Sequence, residues 1–222
     1  NFEGKFTHKR AVNLWPRPYQ SPHMPVWVTG SSDVGSVRTA ASKGFVFATF
    51  LQPYDKVREL FDAYRSSYKP NGQPGGGGLA FMPLMYVAGN EADAEAGAKE
   101  LTWYLKAKVE PQFRNPPGYA PVSANVAGLR GADVRARTND SLRQVSLEQQ
   151  REHGVVMYGT PDQVVKQIET EYERVGGFDH LIMMMQAGFL DHKRTASNIN
   201  LFAKEVYPRI RHLTGTSELR AM

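Results

Sequence analysis

The sequence contains no cysteine and no apolar run long enough to span a membrane. The absence of cysteine excludes disulfide bonds, thiolate catalysis and cysteine-ligated metal sites. A membrane-spanning helix needs about 20 consecutive apolar residues, whereas the longest apolar stretches, near 79–88 and 181–185, have the length of strands. The six histidines show no metal-ligand spacing, so no metal site is predicted. We therefore expect a protein without membrane segments, and we place it in the cytoplasm.

Dense blocks of basic residues are also missing. Lysine and arginine number 27 against 22 acidic residues, which gives a formal charge of +5, but they are scattered along the chain. Nucleic-acid-binding proteins usually cluster such residues in a patch or stripe. The sequence therefore predicts that the protein has no nucleic-acid partner. It predicts a solvated basic surface that favours small anionic ligands.

What the sequence does contain is an alternation of strand-like and helix-like segments over a length that suits a single domain, residues 1–222. The predicted strands are 26–29, 45–50, 79–87 (with Pro83 marking a bulge or a strand end) and 180–185. Five helices are predicted. They run from Ser32 or Asp33 to Gly44, from near Asp55 to before Pro70, from Glu91 to near Val109, from Thr160 to Gly176, and from near Ser197 to near Leu213. Such alternation predicts a parallel sheet with right-handed crossovers.

Two segments fall outside this alternation. Residues 110–154 are rich in proline, glycine and arginine, and a segment of this kind in a compact domain is usually functional or mobile. We expect it to be a variable insertion or lid. The glycine-rich segment 70–78 is predicted to be a turn, because no strand precedes it and no Gly-Lys-Ser/Thr follows it.

The candidate binding site is the turn Gly30-Ser31-Ser32, which ends the first predicted strand and opens a helix. In parallel α/β proteins, ligands bind at the carboxyl ends of the strands. A helix N-terminus offers free N–H groups and the positive end of the helix dipole, and the hydroxyls of Ser31, Ser32 and Ser36 could donate to phosphate oxygens. These residues alone leave two interpretations open: a phosphate site or an ordinary capped helix.

The residues in this region resemble a known family. Asn13–Gly44, with Trp-Pro-Arg-Pro before the turn, is similar to the luciferase-like flavin monooxygenases, as are Val156–Leu190 and Asn200–Arg211. The resemblance implies an α/β fold, the (β/α)8 TIM barrel of bacterial luciferase type, with this chain supplying about strands five to eight and their helices. It also implies that Gly30, Ser31, Ser32 and Ser36 bind the phosphate of FMN. The implied reaction uses reduced flavin and O2 to oxidise a small organic substrate.

The same resemblance indicates what this chain lacks. An eight-stranded barrel needs about 250 residues and eight units, and the first residue here is Asn1 rather than Met. We expect an N-terminal half, upstream or in a partner chain, to carry the catalytic residues, which are therefore unknown. We also expect a flavin reductase as a partner, and we expect the protein to form a homo-oligomer. Within this chain, the general-base candidates are His153 and His192.

Several alternatives remain open. A deazaflavin (F420)-dependent oxidoreductase or a non-catalytic flavin-binding subunit would have the same phosphate turn. An unrelated phosphate-binding barrel would place a lysine or an acidic pair at a strand end, and neither is evident. Arginines in the predicted insertion could contact an anionic substrate or the flavin phosphate; they are Arg114, Arg130, Arg135 and Arg137.

Overall fold

A computed structural model of the chain describes residues 1–13, 15–31, 33–106 and 145–213. The strands are β1 (Phe2–Glu3), β2 (His8–Lys9), β3 (Trp27–Thr29), β4 (Val46–Phe50), β5 (Gly78–Met82), β6 (Leu84–Val87), β7 (Val156–Gly159) and β8 (His180–Leu181). The helices are α1 (Val34–Ser42), α2 (Tyr54–Ser67), α3 (Glu91–Leu101), α4 (Trp103–Lys106), α5 (Leu147–Glu152), α6 (Pro161–Arg174), α7 (His192–Leu201) and α8 (Tyr207–Ile210), with a π-helical turn at Phe202–Val206. Not one helix in these ranges combines the length and apolar character that a membrane crossing requires.

The central sheet has four parallel strands in the order β3-β4-β5-β8. Val28 lies opposite Phe47, and Phe47 lies opposite Leu79, so the three strands are in continuous register. Each strand is adjacent to the preceding strand of the set, which is the order found in the wall of an α/β barrel. The predicted α/β class and parallel sheet are confirmed.

Side chains alternate between the two faces of this sheet. One face belongs to a large hydrophobic cluster and the other to a small one. One face packs against helices α1, α2 and α6 and forms the main core. Its strand members are Val28, Phe47, Leu79, Phe81 and Leu181. The buried face of α2 consists of four fully buried residues: Val57, Leu60, Phe61 and Tyr64. Burying a large apolar side chain contributes about 1.5–3 kcal/mol, so this face contributes strongly to stability.

Pro83 divides the third predicted strand into β5 and β6, which pair with different strands. β5 pairs with β4 and β8, while β6 pairs with β7 and makes one further bridge, from Leu84 to Met184. Proline has no N–H to donate to a ladder, although its carbonyl accepts a hydrogen bond from the Met184 N–H at 3.2 Å. The predicted strand end at Pro83 is confirmed.

Two strand predictions need correction. β7 was not predicted, since its four residues are uniformly buried and so carry no alternation in the sequence. The fourth predicted strand, 180–185, is reduced to β8 at His180–Leu181. The reason is the break at Pro83: beyond it, the segment leaves β5, and its strand pairing with β6 in the described residues is reduced to the bridge between Leu84 and Met184.

The predicted insertion is partly helical. Residues 147–152 form α5, whose capping box joins the Ser146 hydroxyl to the Gln149 N–H at 3.1 Å. Before the insertion, α3 ends at Leu101 instead of near residue 109, and the Thr102 hydroxyl turns back to the Ala98 carbonyl at 2.8 Å. Residues 107–144, with all four candidate arginines, lie outside the described residues.

The closing helix begins earlier than predicted. It starts at His192, because the Asp191 carboxylate accepts a hydrogen bond from the Arg194 N–H at 2.8 Å and caps the helix. The π-helical turn follows, with the Tyr207 N–H bonded to the Phe202 carbonyl. Pro208 cannot donate to the carbonyl four residues earlier, and this loss explains a widened turn at this point.

Candidate functional site

The carboxyl end of β3 brings the predicted turn to the rim of the sheet. The Gly30 N–H donates to the Ala48 carbonyl at 3.0 Å, so the β3–β4 ladder continues one residue beyond the strand. A Cβ on Gly30 would lie 3.3 Å from the Phe47 ring, which leaves little room for a side chain. Ser31 follows, half-buried, and α1 begins three residues later. A glycine here therefore lets the backbone lie close to the core at the rim of the sheet.

Asp33 is the N-cap of α1. Its carboxylate accepts three hydrogen bonds, from the Gly35 N–H at 3.1 Å, the Ser36 N–H at 2.7 Å and the Ser36 hydroxyl at 2.6 Å. These bonds, led by the one from the Ser36 hydroxyl, hold the pKa of Asp33 below its ordinary value. The choice that the sequence left open between Ser32 and Asp33 as N-cap is thus decided in favour of Asp33.

The predicted site residues are therefore brought together in part. Gly30, Ser31 and Ser36 lie on the short path from the end of β3 into the first turn of α1. Ser32 lies outside the described residues. The Ser36 hydroxyl is bonded to Asp33 and not directed at an open space. The Asp33 carboxylate thus holds three of the donors at this helix start.

The neighbouring strand end contains a feature that the sequence did not reveal. Leu51, directly after β4, has a φ of 51°, and its N–H donates to the Met82 carbonyl at 3.3 Å. Left-handed backbone is unusual for a residue other than glycine and costs on the order of 1 kcal/mol. It turns the chain sharply at the rim, where Gln52 follows and α2 begins at Tyr54. Leucine carries no signal for this conformation, so sequence reasoning had nothing to detect.

The two candidate histidines are both exposed. His153 ends α5, and its carbonyl accepts a hydrogen bond from the Tyr54 N–H at 2.9 Å. This contact brings it near the start of α2, on the rim side of β4. His192 is the first residue of α7. Within the described residues, neither histidine has a carboxylate partner that would orient its ring as a general base.

A cavity of about 410 Å³ lies at the opposite end of the sheet. It is lined by the glycine-rich turn 70–77 together with Asp179 and His180, which precede and begin β8. His180 also contacts Trp27, with ring centroids 4.8 Å apart. Since these residues lie at the amino ends of the strands, the cavity is separate from the Gly30 turn. Ligand sites in barrels form at the carboxyl ends, so the rim, and not this cavity, is the candidate site.

Comparison with known proteins identifies the fold family. A family model described as luciferase-like monooxygenase matches residues 1–178. The chain belongs to the luciferase-like monooxygenase family. The resemblance seen in the proline-rich lead-in, the glycine–serine turn and the segment around Thr160 is therefore confirmed. The family match includes the whole β3–α1 turn.

Solved structures with similar folds include other members of this kind. Monooxygenase RslO1 from Streptomyces bottropensis is 19% identical with a TM-score of 0.62, over 93% of this chain and 54% of that one. The oxygenating constituent of 3,6-diketocamphane monooxygenase from Pseudomonas putida, in complex with FMN, is 19% identical with a TM-score of 0.60, over 87% and 50%. The F420-dependent tetrahydromethanopterin reductase from Methanopyrus kandleri is 14% identical with a TM-score of 0.57, over 96% and 58%. At these identities the likeness shows the fold alone. The luciferase-like chain spans about half the length of these structures.

Proposed function

We propose that this chain is part of a flavin-dependent monooxygenase in which reduced FMN and O2 oxidise a small organic substrate. In this proposal, Gly30, Ser31, Ser32 and Ser36 bind the FMN phosphate. The observation that carries it is the turn after β3, which places a glycine and a helix N-terminus together at the rim in a member of the luciferase-like family.

The described residues of this turn fit a phosphate group by their chemistry. The first N–H groups of a helix have no partner within it and carry partial positive charge. In α1, the Gly35 and Ser36 N–H groups are such donors, and a carboxylate already binds them. An anion therefore suits these donors in the folded chain. The nearby Gly30 lacks the side chain that would separate a ligand from the backbone.

The chain's share of the reaction is to bind and orient the cofactor. The flavin, when bound, supplies the oxygen-activating chemistry. The β3–α1 turn would fix the position of the phosphate tail, and a fixed tail limits where the ring system can lie. Holding a reactant in one orientation can supply a large part of a rate enhancement. Residues of the other half of the barrel would then complete the site around the flavin ring.

A second candidate is an F420-dependent oxidoreductase. Two structures with TM-scores of 0.57 are F420-dependent enzymes, one of them a secondary alcohol dehydrogenase in complex with an F420-acetone adduct. A phosphate turn would serve either cofactor. Parallel titrations of the chain with FMN and with F420 would separate the two, because only the bound cofactor would show a saturable change in fluorescence.

The partner that we propose for this chain is the other half of the barrel, from the same polypeptide or from a second one. Trp27 on strand β3 is 42% exposed and Phe50 on β4 is 38% exposed. Among the described residues, β3 pairs with β4 on one side and offers its other edge for pairing. An open sheet edge beside exposed aromatic residues favours association. We further propose that the assembled protein is a homo-oligomer.

The phosphate assignment is tested with Ser36→Ala. The intact chain is titrated with FMN and with riboflavin, which lacks the phosphate, and flavin fluorescence is followed. Loss of a hydrogen bond to a charged group costs about 1.5 kcal/mol or more, so we expect about tenfold weaker FMN binding and unchanged riboflavin binding.

Ser42→Ala, at the other end of α1, is the matched control, since the Ser42 hydroxyl donates to the Thr39 carbonyl within the helix. It should leave both affinities unchanged. Equal affinity of the unmodified chain for FMN and riboflavin would show that no phosphate site exists in this turn.

A further inference from the structure

Asp33 occupies donors at the start of α1, including both donors of Ser36, one of the residues of the proposed phosphate site. Three hydrogen bonds converge on its carboxylate, and two of them come from Ser36, through the N–H at 2.7 Å and the hydroxyl at 2.6 Å. A Cβ on Gly35 would lie 3.3 Å from the Asp33 carboxylate. The absence of a side chain at Gly35 therefore leaves room for the carboxylate to reach the Gly35 N–H. The chain thus carries a bound anion of its own at the start of α1.

A phosphate and the Asp33 carboxylate compete for these donors. Each N–H has one proton to donate, so a phosphate that binds Gly35 and Ser36 must displace the carboxylate or share the donors with it, which weakens both sets of bonds. The displaced carboxylate remains nearby, since it is attached to the backbone only two residues before Gly35. A phosphate monoester carries close to two negative charges near neutral pH, and repulsion between like charges at such distances weakens binding.

We propose that Asp33 is a specificity-determining residue that acts as an internal competitor at the phosphate turn. It lowers the affinity for every phosphate that would use the N-terminus of α1. It disfavours a terminal phosphate monoester, with up to two charges, more than a phosphodiester, with one. This inference rests on the proposed function, because it concerns the same turn.

The exposure of Asp33 sets the size of the effect. The carboxylate is exposed, and solvent screens exposed charge pairs strongly, so we expect an effect of about fivefold in affinity. Asparagine at position 33 keeps an oxygen acceptor for the N-cap and removes the charge. Asn and Asp are about equally good N-caps, so α1 should keep its stability.

The test compares the full chain with Asp33→Asn, and uses Asp191→Asn as the matched control. Asp191 caps α7 in a similar way, through the Arg194 N–H. Binding of FMN and riboflavin is measured by fluorescence, and binding of inorganic phosphate by the NMR shifts of the Gly35 and Ser36 amides. We expect Asp33→Asn to bind FMN and phosphate about fivefold more tightly, with riboflavin unchanged and Asp191→Asn like the unmodified chain.

The outcomes separate this inference from the function on which it rests. If the unmodified chain prefers FMN to riboflavin but Asp33→Asn shows no gain for FMN or phosphate, the competitor role is overturned and the phosphate site stands. If neither protein distinguishes FMN from riboflavin, and phosphate leaves the two amides unmoved, the phosphate site is overturned together with the competitor role.

Discussion

At the residue scale, buried polar side chains join elements that the strand ladders leave unconnected. Asn198 on α7 is 1% exposed and bonds to three backbone groups. Its Oδ1 accepts from the Val87 N–H at 2.8 Å, and its Nδ2 donates to the carbonyls of Met85 at 3.3 Å and Met185 at 3.1 Å. The side chain thereby links α7 to β6 and to the segment after β8. It satisfies backbone groups that would otherwise be buried without partners.

Asn198→Ala should lower the free energy of unfolding by about 2–3 kcal/mol, because a buried donor and two carbonyls lose their partner. Urea denaturation gives the value directly. Asn200→Ala is the matched control, since Asn200 lies exposed on the same helix and should cost less than about 0.5 kcal/mol. Similar losses for the two variants would contradict the linking role of Asn198.

Glu171 is a second buried polar residue, and burial destabilises its charged form. It is 4% exposed, and its Oε2 has no hydrogen-bond partner among the described residues. Burial raises the pKa of Glu171 above its ordinary value, and Arg174, whose guanidinium lies 3.0 Å from Oε1, offsets this only in part. A carboxyl with a raised folded-state pKa stabilises the fold below its unfolded-state pKa, and this contribution is lost as the pH rises through the folded-state pKa.

Glu171→Gln should therefore gain stability relative to the unmodified chain as the pH rises from about 4 to about 7. The measurement is the urea midpoint at both pH values. Glu173→Gln, on the exposed side of the same helix, should show no such trend. A difference that stays constant or shrinks with rising pH would mean that the Arg174 pair outweighs the cost of burial.

At the element scale, helix ends are held by side chains from neighbouring helices. Arg65 on α2 reaches the end of α6, where its Nη2 lies 3.1 Å from the Val175 carbonyl and 2.7 Å from those of Gly176 and Gly177. The last carbonyls of a helix lack partners within it and carry partial negative charge. A guanidinium can satisfy several of them at once, so Arg65 joins α2 to α6 at the base of the main core.

Arg65→Lys should lower the free energy of unfolding by about 1–2 kcal/mol, because an ammonium group keeps the charge but not the planar set of donors. Thermal and urea denaturation would measure the loss. Arg38→Lys, on the exposed face of α1, serves as the control. If Arg65→Lys were as stable as this control, charge alone would account for the contact.

At the scale of the whole molecule, β3 has a partner strand on only one side within the described ranges, and we propose that association uses this edge. Trp27 belongs to β3, where aromatic surface coincides with a strand edge that has no partner in the part of the chain that the structure describes. A flat, apolar edge strand is a site at which chains pair, and a lysine on the edge suppresses such pairing. The proposed half-barrel partner and the proposed oligomer both depend on this edge.

The isolated chain of 24.8 kDa should therefore elute as an oligomer, and Trp27→Lys should shift it towards the monomer. Size-exclusion chromatography with light scattering gives the mass. Trp103→Lys is the matched control, because Trp103 is 46% exposed but lies on α4, away from the β3 edge. An oligomer that survives Trp27→Lys and dissociates in Trp103→Lys would place the interface elsewhere.

The sequence by itself determined the α/β class, the family and the starts of α1, α2, α3 and α6 to within about two residues. These features depend on local patterns: the buried face of α2 repeats with helical spacing, and Thr160-Pro161 opens α6 with Gln163 Oε1 accepting from the Thr160 N–H at 3.0 Å. The position of Gly30 at a strand end was equally readable, because the apolar run stops at Thr29 and a helix-capping residue follows.

Only the tertiary structure decided which contacts each of these elements makes. β7 is a strand because β6 beyond Pro83 needs a partner, and a uniformly buried segment of four residues gives no sign of this in its own sequence. In the same way, Asp33 could be read as a helix cap, but only the folded geometry shows that its carboxylate takes the donors a phosphate would use. Periodicity records which side of an element is buried, whereas the partner across the interface depends on residues far away in the chain.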